Sequence, residues 1–202
     1  MKTKHRKFAA GFSLGEVLLS IAVLTAGILP IFASITHGIK ISNDDQRIIV
    51  ASGLAQEGVE LIQNVRDNQF LHIDSTVTDA FYGWLPGGKS NVNGSWNNCR
   101  IDFKDPVLSD PVANQISCSG SSYDLTPVSG GVYQGLFEHG STSGLYKRRL
   151  FLSYDAASKQ LTIVSAVYWG TTFVPTTPAE VANGCHAASQ CVSTGGTLTA
   201  WR

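Results

Sequence analysis

Residues 17–35 read VLLSIAVLTAGILPIFASI, nineteen residues with no charge and only Ser20, Thr25 and Ser34 as polar side chains. No Asp, Glu, Lys or Arg occurs between Glu16 and Lys40. About 20 helical residues span the roughly 30 Å hydrocarbon core of a bilayer, so this stretch is long enough to cross a membrane. Beyond it the pattern changes but stays helical. Residues 44–68 read DDQRIIVASGLAQEGVELIQNVRDN, with Ile48, Ala51, Leu54, Ala55, Val59, Ile62 and Val65 recurring at intervals of three and four. Arg47, Glu57, Glu60 and Arg66 fill much of the remainder, which describes an amphipathic helix laid on its own β-domain. Joined, the two stretches predict one helix from about Phe12 to Asp67, roughly 80 Å long at the standard rise. Gly27 and Pro30 are expected to interrupt its first half, because proline removes a backbone hydrogen bond and crowds the preceding turn.

The charge distribution gives this helix a direction. The chain has 202 residues with 15 basic and 15 acidic side chains, a formal net charge of zero. That balance excludes a general nucleic-acid binder, which needs a basic excess. The zero is an average of unlike parts. Lys2, Lys4, Arg6 and Lys7 give residues 1–11 a charge of +4, and residues 12–202 carry −4. Positive charge ahead of an apolar span keeps the leader cytoplasmic and sends the remainder across the membrane.

Gly11-Phe12-Ser13-Leu14-Gly15-Glu16-Val17 stands at the junction of leader and span. A secretory signal cut near Phe32-Ala33-Ser34 would have a shorter apolar core and no acid at its mouth. A plain signal anchor would tolerate the length but leave Gly11, Phe12 and Glu16 unexplained. Taken together, these residues resemble the class III signal of type IV prepilins and pseudopilins, which usually reads Gly-Phe-Thr-Leu-(Ile/Val)-Glu. Gly15 departs from the bulky residue usual there. The resemblance is to residues 11–35, and it implies cleavage of the Gly11–Phe12 bond by a membrane prepilin peptidase, with methylation of the new amine on Phe12. It also implies that Glu16, fifth in the mature chain, pairs with the N-terminal amine of a neighbouring pilin subunit during assembly. By analogy with pilin filaments, residues 26–32 around Pro30 are expected to loosen on assembly. A glycine suits a bond that must lie in a narrow cleft. A carboxylate in the first helical turn is favoured by the helix dipole, but an acid within a membrane segment is costly and calls for a partner.

Residues 70–202 have a different character. Only 17 of these 133 residues are charged and 38 are Ser, Thr, Asn or Gln, a neutral polar surface suited to an exported, β-rich domain. Residues 70–98 read as a connecting loop. Lys147–Tyr154 alternates with Leu150, Leu152 and Tyr154 on one face, Asp155–Lys159 supplies a turn, and Leu161–Trp169 follows with apolar residues on both faces, as a central strand requires. Cys99–Phe103, Gly131–Phe137 and Thr197–Trp201 are further strand candidates. The fold class is α+β: a long N-terminal helix packed on a C-terminal antiparallel sheet. The expected divisions are a leader at 1–11, a transmembrane half-helix at 12–39, an amphipathic half at 40–68 and a β-rich domain at 69–202. The helix segment LAQEGVELI (residues 54–62), the hairpin ending at Trp169 and the terminal LTAW (residues 198–201) are similar to PilV-like minor pilins.

Cys99, Cys118, Cys185 and Cys191 are even in number and contain no C-x-x-C pair, so two disulfides in an oxidising compartment are expected rather than a zinc site. Three pairings are possible, and joining sequence neighbours is the simplest. No H-x-x-x-H, H-E-x-x-H or Walker pattern occurs, and the one G-x-S-x-G match, Gly11 to Gly15, stands between a basic leader and the apolar span and not on a strand-to-helix turn, so the sequence gives no sign of an enzyme, a metal or a cofactor. Asp102, Asp105 and Asp110 could supply oxygen ligands to calcium but lack a loop spacing and read as turn residues. Lys147-Arg148-Arg149 reads as a solvated strand edge. The expected partners are other pilin subunits, the prepilin peptidase and the inner-membrane pilus assembly machinery, with no nucleic acid. The alternatives are a pseudopilin of a secretion or competence system, and a membrane-anchored extracytoplasmic binding protein.

Overall fold

The computed structural model describes residues 11, 13–71, 96–102, 116, 118, 122–140, 143–171 and 173–199, with side chains in the helix described to residue 68. The expected leader, Phe12, most of the 70–98 connection and Trp201 lie outside these residues. The chain divides into two compact units, Met1–Gln46 and Arg47–Arg202. Helix α1, Leu14–Leu71, belongs to both.

In the first unit α1 begins directly after Ser13 and runs unbroken through Gly27 and Pro30. The expected interruption is absent because proline's fixed φ suits a helix, and only the partner of the Ala26 carbonyl is lost. Every described side chain from Ser13 to Gln46 is exposed. By length and composition the helix can cross a membrane.

The second unit is α+β. Its strands are β1 (Asn97–Cys99), β2 (Asp124–Pro127), β3 (Phe137–His139), β4 (Tyr146–Asp155), β5 (Gln160–Tyr168) and β6 (Cys191–Thr199). The order is β3-β2-β4-β5-β6, all antiparallel, with β1 joining the same edge of β4 as β2 but further along it. The expected β4–β5 hairpin is present, with a register that runs from Lys147 opposite Tyr168 to Asp155 opposite Gln160. Its turn is held by Asp155, which accepts from the Ala157 amide at 3.0 Å and the Ser158 hydroxyl at 2.6 Å. Those bonds hold the Asp155 carboxyl below the usual aspartate range.

Other boundaries moved. β1 starts at Asn97 rather than Cys99. Residues 131–136 form a turn, so the strand expected at Gly131–Phe137 begins only at Phe137. The C-terminal strand starts at Cys191, earlier than Thr197. Gly195 fits within it because a Cβ there would stand 2.7 Å from the Ile163 carbonyl oxygen. β2 and a short helix α2, Pro178–Gly184, were not anticipated.

One sheet face carries α1. Leu54, Ala55, Ile62 and Val65 are buried on Leu125, Tyr146, Leu150, Leu152, Tyr154, Leu161, Ile163, Val167, Trp169 and Leu198. Burying each Leu, Ile or Val contributes about 1.5–3 kcal/mol before the cost of ordering it. Gly58 sits at the centre of the contact. A Cβ there would meet Ser165 Oγ at 2.7 Å and Leu150 Cδ2 at 3.0 Å, so glycine is what lets the helix backbone approach the sheet. The other face is covered by α2, whose Val181 packs on Phe151 and Ala166.

Candidate functional site

The N-terminal segment contains the motif residues that the structure describes. Gly11 is exposed and outside the helix, and Phe12 lies outside the described residues. Ser13 caps α1: its carbonyl accepts from the amides of Glu16 (3.0 Å) and Val17 (3.3 Å), and its hydroxyl accepts from Glu16 N at 3.3 Å. Ser13-x-x-Glu16 is therefore a capping-box sequence, and it fixes the helix start two residues beyond Gly11-Phe12. This signal was present in the sequence and was passed over. Glu16 occupies the first turn, where its charge complements the helix dipole.

The other polar side chains of the apolar span behave differently from Glu16. The Ser20 hydroxyl donates to the Glu16 carbonyl at 2.8 Å, Thr25 to the Ile21 carbonyl at 2.9 Å and Thr36 to the Ala33 carbonyl at 2.9 Å. Hydroxyls satisfied by their own helix enter a nonpolar medium at little cost. A carboxylate has no such internal solution. Glu16 is the only Asp, Glu, Lys or Arg between Phe12 and Ile39.

Both disulfides join sequence neighbours. Cys99–Cys118 ties Cys118 to the core at the end of β1, and Cys185–Cys191 ties the C-cap of α2 to the first residue of β6. In the chain-entropy account the two closures contribute about 3 and 2 kcal/mol respectively. His186, next to Cys185, caps the 3₁₀ turn Ala187–Ser189, its Nδ1 accepting from Ser189 N at 3.1 Å.

The basic triplet is not a solvated edge. β4 is an interior strand, and Arg148 shares its inward face with Leu150, Leu152 and Tyr154. Arg148 is fully buried: its guanidinium donates to the Leu54 carbonyl (3.3 Å) and the Ile101 carbonyl (2.8 Å), and stands 3.3 Å from Glu57 Oε1. Arg149 points the other way, 4.2 Å from the Tyr123 ring centroid and bonded to the Pro175 carbonyl at 2.7 Å. Lys147 stands 3.8 Å from Asp124.

Asp102 also has a structural role. Its Oδ1 accepts from the His139 amide at 2.8 Å and lies 2.7 Å from His139 Nδ1, while Nε2 of the same ring is 3.3 Å from the Arg148 carbonyl. Burial, the largest influence, pushes the Asp102 carboxyl up. The bonds from His139 and the charges of His139 and Arg148 outweigh it and hold the pKa below the usual range. Asp105 and Asp110 lie outside the described residues. Among the described residues no three His, Cys, Asp or Glu side chains gather as a metal site. No family model, curated protein or solved structure matches this chain.

Proposed function

We propose that the protein is a structural subunit of a type IV pilus or related filament, a minor pilin made as a precursor and anchored in the inner membrane by α1. One observation carries the reading. A capped helix start at Ser13 immediately follows Gly11-Phe12, and the first 26 residues of the helix it opens, 14–39, are predominantly apolar with Glu16 as their one Asp, Glu, Lys or Arg. A peptidase that cuts at Gly11–Phe12 exposes a new amine just ahead of the cap. The amine of one subunit and Glu16 of its neighbour then neutralise each other in a medium where either alone is costly. The disulfide-bonded unit from Arg47 onward is carried outside the membrane. The self-bonded hydroxyls of Ser20 and Thr25 and the exposed apolar side chains of the span suit burial in lipid before assembly and among neighbouring helices after it.

Two variants test the steps separately in cells that hold the assembly machinery. Gly11→Ala leaves the precursor at full length on a denaturing gel. Glu16→Gln is processed normally but absent from sheared filaments. Normal processing of Gly11→Ala, or incorporation of Glu16→Gln at the level of the parent, contradicts the proposal.

A further inference from the structure

The β2–β3 hairpin tip and the β4–β5 turn, at opposite ends of the sheet, differ in polarity. At one end the β4–β5 turn, Asp155–Lys159, is exposed and carries Asp155, Ser158 and Lys159. At the other end β4 begins, and there the chain from Leu125 to Phe137 holds thirteen residues without a charge. β2 passes the start of β4, with Leu125 opposite Tyr146, so the β2–β3 hairpin projects beyond that end of the sheet.

The hairpin tip has a defined backbone. Val128 N donates to the Leu136 carbonyl at 2.8 Å and Gly135 N to the Val128 carbonyl at 3.1 Å, while Gly131 and Gly135 supply the positive φ that the turn requires. On this frame Val132 is 96 % exposed, and Tyr133, Leu136 and the nearby Leu145 are each about half exposed. A water-facing tip is ordinarily polar, so an ordered, uncharged one carrying Val, Tyr and Leu marks an interaction surface.

The same end of the unit is where α1 enters. Ile48 and Phe137 both pack against the buried cluster that holds Tyr146 and Trp169, and the charge of Arg47 is felt at Tyr146. From Ile39, the last residue of the uncharged run, to Arg47 is eight residues. That tether spans about 12 Å as helix and no more than about 28 Å fully extended. The hairpin end of the sheet is therefore the end at which this tether joins the unit, and the β4–β5 turn lies at the other.

We infer that Val132, Tyr133 and Leu136 of the β2–β3 hairpin dip into the interfacial layer of the bilayer that holds α1, docking the extracytoplasmic unit on lipid before assembly. The inference rests on the membrane-anchored reading of α1. Val and Leu supply apolar area, and Tyr places its ring at headgroup depth, the usual position of interfacial aromatics. Assembly then extracts two lipid contacts, the helix and the tip.

Spin labels on the full chain in vesicles of phosphatidylethanolamine and phosphatidylglycerol test this. All four native cysteines are disulfide-bonded, so one added thiol can be labelled without reductant. Nitroxides go on Val132→Cys, on Ser158→Cys in the β4–β5 turn and on Leu24→Cys in the span. The expected result is oxygen access well above water-soluble nickel-complex access at 132 and 24, with the reverse at 158. A label at 132 as open to the nickel complex as that at 158, with 24 still in lipid, overturns the docking and leaves the anchor standing. A label at 24 in water overturns both. A label at 132 shielded from both reagents, equally in vesicles and detergent micelles, indicates a protein contact and also overturns the inference. Val132→Asp combined with Leu136→Asp, exposed changes that leave the core intact, is expected to return a label at Leu145→Cys to aqueous values. An unchanged label at 145 counts against the docking.

Discussion

Between Leu14 and Gln46 α1 exposes all its side chains, while between Ala51 and Val65 the same helix buries a stripe of them on a sheet. The contrast is sharpest at the glycines. A Cβ at Gly27 would have nothing within 4 Å, whereas one at Gly58 would collide with Ser165 and Leu150. It recurs in the polar groups. The Ser20, Thr25 and Thr36 hydroxyls turn back on their own helix, whereas the second half lends its Leu54 carbonyl to a buried arginine of β4. A helix half fitted to one sheet has addressed polar contacts and a tight centre. The exposed half instead turns the Ser20, Thr25 and Thr36 hydroxyls onto its own backbone and has no Asp, Glu, Lys or Arg from Val17 to Ile39.

The largest effect is expected at the addressed contact. Arg148→Ala strands the Glu57 carboxylate and two carbonyls beside a cavity and should lower unfolding stability by on the order of 3 kcal/mol in urea titration. Arg148→Met, which keeps the volume without the charge, should lose distinctly less. Equal, negligible losses in both would mean that the two halves of α1 are held alike. Gly58→Ala should cost about 1–2 kcal/mol, overpacking offset in part by the better helix propensity of alanine. The added change Ser165→Ala should recover part of it, and Gly53→Ala, where a Cβ meets nothing within 4 Å, should be neutral or stabilising. A stabilising Gly58→Ala would remove the distinction between the close-packed and the open glycines.

The smallest effect concerns acid. The Asp102 pKa is lower folded than unfolded, so its contribution is fully present above the unfolded pKa and is lost as pH falls through the folded one. Asp102→Asn should therefore flatten the acid limb of the stability curve below about pH 4. An acid limb identical to that of the parent would show that His139 and Asp102 are not coupled in solution.

The helix, the β4–β5 hairpin and the disulfide pairing were legible because each rests on local signals: periodicity, a turn between two alternating runs, and short cysteine spacing. Arg148 was misread for an instructive reason. It lies in phase with Leu150, Leu152 and Tyr154, so alternation pointed it inward, but its charge and its basic neighbours pointed it outward. The buried carbonyls that satisfy it come from Leu54 and Ile101, which no local pattern connects to β4. His139 and Asp102 are 37 residues apart and meet only through the sheet. Helix α2 was announced by Thr177-Pro178-Ala179-Glu180, a capping box with proline at the first turn, but seven residues are too few for periodicity to show. At the N-terminus Ser13-x-x-Glu16 explains where the helix starts, while the meaning given to Gly11, Phe12 and Glu16 still comes from resemblance.

Intact mass and N-terminal sequencing of the protein recovered from the membranes of cells with a prepilin peptidase test that meaning most directly. The account predicts a chain beginning at Phe12 and heavier than residues 12–202 by one CH2, the net gain of N-methylation, after allowance for two disulfides. A chain that keeps its leader, or one beginning at any residue other than Phe12, would contradict it.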